Sequence, residues 1–150
     1  MTKKENLVAY CGLYCGDCAG YTKDLAKAAK QLKTQIDKYK FNLTVEAMFS
    51  EQLKHYDEFK KNLDFMTQLA CPIICTQRED ARCEIWHCCR DKNYAGCYEC
   101  KDFETCEKIP NALGEHFFDA CIVNLKQIKE MGVRDWIDKG KRYWFSCDVE

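Results

Sequence analysis

The sequence predicts a small, mainly α-helical domain with a loop-rich cysteine segment that is stapled by metal. Three observations predict it. Apolar residues recur at helical intervals over long stretches before residue 71 and after residue 110, and no segment reads as a strand longer than four residues. The stretch from Cys71 to Cys106 carries Cys71, Cys75, Cys83, Cys88, Cys89, Cys97, Cys100 and Cys106, with only a few apolar residues between them. Such a stretch does not bury enough surface to hold itself by packing, so a cross-link of another kind is needed.

The first periodic stretch, residues 21 to 40, places Tyr21, Leu25, Ala28, Leu32, Ile36 and Tyr39 on one face. Lysine and glutamine occupy the other face, and Thr22 is its N-cap. A second helix runs from Thr44 or Ser50 to about Ala70 through Val45, Phe49, Leu53, Tyr56, Phe59, Leu63, Met66 and Leu69, and Pro72 stops it. His55 lies beside this stripe with no cysteine one turn away, so a solvated histidine is the plainer reading. After Pro110 a third helix, 111 to 131, aligns Leu113, Phe117, Cys121, Leu125 and Ile128, with Asn111 capping its start and Gly132 its end. Cys121 on that face reads as core. A last helix near Val133 to Tyr143 turns Trp136 and Ile137 inward, and Trp144 to Cys147 closes the chain.

Length and charge narrow the function. At 150 residues the chain reads as one domain over 1–150, able to bury about 70% of its unfolded surface without help from cysteine. The net charge is −1 and both signs are interspersed, so the basic stripe expected of a nucleic-acid binder is missing. No window approaches the ~18 apolar residues of a membrane span, and the N-terminus has no apolar run of the ~7–15 residues that a secretory signal needs. A cytoplasmic chain without nucleic-acid or membrane partners is therefore expected. In that compartment thiols stay reduced, and thirteen cysteines, an odd number, leave one over in any full disulfide framework. Metal binding is favoured over disulfides and over cysteines that are merely small buried hydrophobes.

The candidate ligands follow from spacing. Cys11-Gly-Leu-Tyr-Cys15-Gly-Asp-Cys18 is a C-x3-C-x2-C group whose glycines let several sulfurs converge. Cys83 and Cys88 lie at opposite ends of a short helical turn, and Cys97-Tyr-Glu-Cys100 is a C-x2-C knuckle of the kind found in zinc ribbons. With Cys71, Cys75 and Cys106 these make the predicted metal ligands: Cys11, Cys15, Cys18, Cys71, Cys75, Cys83, Cys88, Cys97, Cys100 and Cys106. His87 is a further candidate among more abundant thiols. Zinc, held by four thiolates in a closed site, is the leading cofactor. A [4Fe-4S] cluster is the alternative, because radical S-adenosylmethionine enzymes use the same C-x3-C-x2-C spacing, although the strand–helix alternation of their barrel is missing here.

Catalysis has weaker support. Nothing in the sequence pairs His55, His87 or His116 with a thiol, and the phosphate-binding, dinucleotide-binding, zincin and nucleophile-elbow motifs are all missing. Cys89, next to Cys88, is the best candidate for a reactive thiol. The expectation is a zinc-binding scaffold or binding module for an unknown protein or small-molecule partner. An iron–sulfur redox protein and a thiol or metal-dependent enzyme stand as alternatives, with a non-enzymatic role favoured.

These residues together resemble the domain-of-unknown-function family numbered 3795. The resemblance is carried by Ala9-Tyr10-Cys11-Gly12-Leu13 through Cys18, by Cys83-Glu-Ile85-Trp-His-Cys88, by Cys97 and Cys100, and by Cys106-Glu107-Lys108. Asn124-Leu125-Lys126 through Trp136 is similar as well. Three features depart from that pattern: Cys71-Pro-Ile-Ile-Cys75 stands where members have C-x-G-C, Trp86 stands where an arginine is common, and Cys89 is extra. The resemblance implies a small metal-binding protein and names no substrate.

Overall fold

A computed structural model of the chain describes residues 2–71, 73–79 and 82–149. The described residues are mainly α-helical, and their β-pairing is confined to an isolated antiparallel bridge between Val8 and Tyr14. No helix among them is long and apolar enough to cross a membrane. The chain divides into two compact units, one of Cys18–Pro72 and the other of Met1–Asp17 with Ile73–Glu150.

The Cys18–Pro72 unit contains α1 (Ala19–Thr22), α2 (Asp24–Lys38), α3 (Phe41–Met48) and α4 (Tyr56–Met66). The first expected helix is broken at Lys23, whose φ of 61° is left-handed, so Thr22 ends α1 and Lys23 takes the N-cap position, although the Thr22 hydroxyl still accepts from the N–H of Asp24, the first residue of α2, at 3.4 Å. The second expected helix is also two helices. Between Phe49 and His55 the backbone leaves the helical path, and only α3 and α4 on either side are regular. Pro72, expected to stop it, lies outside the described residues.

The buried face of α2 differs from the one expected. Ala26 and Ala29 are buried, while Leu25, Leu32 and Tyr39 are exposed. Small side chains let α2 approach α4, where Tyr56 and Leu63 are buried and Phe41 meets Tyr56 edge-on at 5.9 Å. Lys33 on α2 forms an ion pair with Asp64 on α4.

In the other unit α5 (Glu84–Asp91) is followed by α6 (Lys108–Leu113), α7 (Glu115–Met131) and α8 (Val133–Lys139). The helix expected from 111 begins earlier, at Lys108, since proline is tolerated in a first turn, and it breaks at Gly114 with φ 86°. Asn111 thus sits inside α6 and caps nothing. Gly132, with φ 83°, ends α7 as expected. Cys121, Leu125, Ile128 and Trp136 are completely or almost completely buried, which agrees with the inward face read for α7 and α8. The last helix stops at Lys139, short of Tyr143.

Candidate metal centre

The centre is built on α5 and the two tight turns after it. Cys83 precedes α5 in extended conformation, and Cys88 and Cys89 lie in its last turns. Asn93, left-handed at φ 55°, reverses the chain, and the Tyr94 N–H donates to the Cys89 carbonyl at 2.8 Å. Cys97–Glu99 is a 3-10 turn closed by the Cys100 N–H, which donates to the Cys97 carbonyl at 2.9 Å. The Cys97 N–H donates to the Tyr10 carbonyl at 2.9 Å, which ties the knuckle to the N-terminal segment. A second 3-10 turn, Phe103–Thr105, buries Phe103 and delivers Cys106.

These elements bring Cys88, Cys89, Cys97, Cys100 and Cys106 round one cavity of about 20 Å³, walled also by Ile85, Tyr94, Phe103 and Lys108. A space of that size holds about one water-sized body. Cys89 and Cys97 are buried, with their sulfurs 3.7 Å apart, and Cys88, Cys100 and Cys106 are half-buried at its edge. In the metal-free chain the Cys97 thiol is pushed up by its hydrogen bond with Cys89 and then by burial, whereas Cys89 is lowered by the same hydrogen bond. The Lys92 ammonium is raised by the neighbouring sulfurs of Cys88 and Cys100, in that order, so a cation stands beside the half-buried thiols.

A second group of sulfurs lies deeper in the same unit. Cys11 hydrogen-bonds with Cys121, which together with burial raises the Cys11 thiol well above its ordinary value. Burial pushes Cys75 up to about 11, and Cys11 and Cys83 add to the rise. Cys15 packs against the same core. Cys18 and Cys71 belong to the other unit. There the Cys71 N–H donates to the Gly20 carbonyl at 2.8 Å, and a Cβ at Gly20 would sit 3.5 Å from the Cys18 sulfur and 3.7 Å from the Cys71 Cβ.

The structure therefore gathers Cys88, Cys97, Cys100 and Cys106 of the predicted ligands into one site and Cys11, Cys75 and Cys83 into another cluster. Spacing missed Cys89 and Cys121 as members of these groups. The doublet Cys88-Cys89 is the one signal for Cys89, and Cys121 was hidden by its place on an apolar stripe. Among the described residues, no three His, Cys, Asp or Glu side chains already stand in metal-holding positions, so the sulfurs would have to close on an ion. His87 packs edge-on against Trp86 at 4.9 Å and lies outside the walls of the thiol cavity. His55 pairs with Glu58 at 3.3 Å in the other unit. Cys89, the candidate reactive thiol, is only 2% exposed and is closed to any bulky substrate.

Compared with known proteins, residues 7–111 match the model of a family described as protein of unknown function (DUF3795). No curated protein and no solved structure matches the chain. The matched span takes in both sulfur groups except Cys121, and it ends before the Asn124 to Trp136 segment.

Proposed function

The chain belongs to the DUF3795 family, whose function is unknown, and we propose that it is a zinc-binding protein in which cysteine thiolates hold a structural ion and the surrounding core acts as a binding or scaffold module. The observation that carries this is the cavity of about 20 Å³ with five thiols in its wall. Cys88, Cys97, Cys100 and Cys106 supply the four soft donors of a closed tetrahedral site once they close to the ~2.3 Å of a zinc–sulfur bond. Four protein ligands leave no open position, which favours a structural over a catalytic ion.

The size of the space bears on the alternative. One ion fits a water-sized cavity, whereas a four-iron cluster would require the walls to part. Such an ion would join α5, the knuckle and the turn before α6, whose Ile85, Trp86 and Phe103 are buried in the core, contrary to the scant packing expected of this stretch from its sequence. Structural zinc contributes roughly 10–16 kcal/mol of apparent binding energy in small domains at neutral pH, enough to decide whether the segment folds. Retained thiols suit a cytoplasmic location.

Anaerobic purification followed by elemental analysis, absorption spectroscopy and thermal melting with and without a strong chelator tests the proposal. The expected protein is colourless, holds zinc, loses it in the Cys100→Ser and Cys106→Ser variants, and melts lower after chelation. More than one zinc per chain would place the second among Cys11, Cys75 and Cys83. A brown protein containing iron with a broad band near ~400 nm would overturn the zinc reading, as would a metal-free protein indifferent to chelator.

A further inference from the structure

On the basis of the zinc reading above, we propose that Cys89 and Cys97 are a redox modification site: hydrogen peroxide joins them in a reversible disulfide that competes with zinc for the cavity. Their sulfurs are 3.7 Å apart, both are buried, and both face the same space. Closing to the ~2.05 Å of a disulfide needs a movement of about 1.7 Å, within reach of side-chain rotation. The cysteines are eight residues apart in sequence, so the loop that the bond closes is short and already folded back by the hydrogen bond from the Tyr94 N–H to the Cys89 carbonyl.

Burial selects the oxidant. A cavity that holds one water-sized body admits hydrogen peroxide far more readily than a bulky disulfide such as oxidised glutathione. One thiol of the pair attacks a peroxide oxygen, the O–O bond breaks, and a sulfenic acid and one water form. The other thiol then attacks the sulfenic sulfur, the S–O bond breaks, and a second water leaves as the disulfide forms. In sum, two thiols and one hydrogen peroxide give one disulfide and two waters, with two electrons passing from the sulfurs to the peroxide.

Cys97 has only one role at a time. Bound to zinc it is committed to the ion, and the ion fills the space through which peroxide would arrive. Joined to Cys89 it is lost as a ligand, and three thiols remain where four are needed. Cys89 is not among the four proposed ligands, yet through this bond it controls one of them.

The test uses the full chain in zinc-free and zinc-loaded forms, treated with hydrogen peroxide or with oxidised glutathione and examined by peptide mapping and zinc uptake. In the zinc-free form, peroxide is expected to give a Cys89–Cys97 cross-linked peptide lighter by about 2 Da. Zinc uptake by the cavity should be lost and then restored by a dithiol reductant. The zinc-loaded form should cross-link about tenfold more slowly or less, because the ion protects the state that binds it, and oxidised glutathione should cross-link neither form. Cys89→Ser should keep after peroxide whatever zinc capacity it has before treatment, because Cys97 then has no partner in the cavity.

Peroxide producing other pairings, or no cross-link, overturns the proposal, as does Cys89→Ser losing zinc capacity to peroxide as fast as the natural chain. If no zinc binds at all, the zinc reading and the competition both fall, while the peptide map still decides the pairing. If zinc binds through four sulfurs and no Cys89–Cys97 bond forms, this inference alone falls.

Discussion

The side-chain amide of Asn124 clamps the backbone of Tyr143 at two points. Its Nδ2 donates to the Tyr143 carbonyl at 2.8 Å, and its Oδ1 accepts from the Tyr143 N–H at 3.0 Å. Asn124 is completely buried on α7, so the clamp fixes the segment after α8 against the core with each polar group of the amide satisfied. Replacing it by alanine removes both partners and leaves a cavity. Each orphaned buried group costs about 1–3 kcal/mol, and Asn124→Ala should destabilise the protein by about 2–5 kcal/mol. Urea denaturation checks this, and a loss under about 1 kcal/mol would mean that water takes over both bonds.

Gly12 lies where no other residue fits. Its φ of 88° is left-handed, and a Cβ there would come within 2.8 Å of the Leu125 side chain and 3.3 Å of the Cys121 carbonyl on α7. The glycine lets the turn closed by the Gly12 N–H on the Ala9 carbonyl, at 2.9 Å, lie directly on the helix that carries Cys121. Backbone strain of about 1–3 kcal/mol adds to about 1–3 kcal/mol of overpacking. Gly12→Ala is expected to lower stability by about 2–6 kcal/mol, measured as a shift in denaturation midpoint, with a disturbed Cys11 environment. An unchanged midpoint would refute the close packing of this turn on α7.

Where large apolar residues decide burial, the sequence was a good guide to the fold, and α7 shows it with Cys121, Leu125 and Ile128 on one buried face. It misled on α2, where Ala26 and Ala29 go inward and Leu25 and Leu32 stay exposed. Close helix approach rewards small side chains, and a periodicity drawn through the large ones does not register that. The helix break at Lys23 was equally hidden, because lysine gives no local sign of a left-handed backbone. For the site, the Cys97-x-x-Cys100 spacing announces a turn that presents two sulfurs. The meeting of Cys89 with Cys97 depends on how the chain reverses at Asn93, which spacing does not encode.

The burial of Cys75 carries a pH dependence for the metal-free protein. Its thiol is pushed up to about 11 from an ordinary 9.0, first by burial and then by Cys11. Below pH 9 both the folded and unfolded chains hold the proton, and its stabilising effect is complete. Between about 9 and about 11 the unfolded chain has released the proton and the folded chain has not, so stability falls as pH rises through that window. Denaturation midpoints of the zinc-free protein should drop across it. The drop should be smaller in Cys75→Ala, and equal slopes for the two proteins would count against a buried, protonated Cys75.

Lys92 offers a probe of the thiol cavity from outside its lining, its ammonium 5.8 Å from the centre of the Tyr94 ring in the wall. The ammonium is raised by Cys88 and then by Cys100, so it lies close enough to favour their anions. Zinc binding requires those anions, because a thiol must lose its proton to ligate. Reversing the charge in Lys92→Glu should therefore weaken zinc affinity, and since the side chain is exposed the effect should be modest, roughly two- to fivefold. Salt discriminates an electrostatic cause from a structural one. At 1 M ionic strength the screening length falls to about 3 Å, and the difference between the two proteins should nearly vanish in a competition titration against a colorimetric chelator. A difference that persists undiminished in high salt would mean that Lys92 acts by holding the Cys88 turn in place and not through its charge.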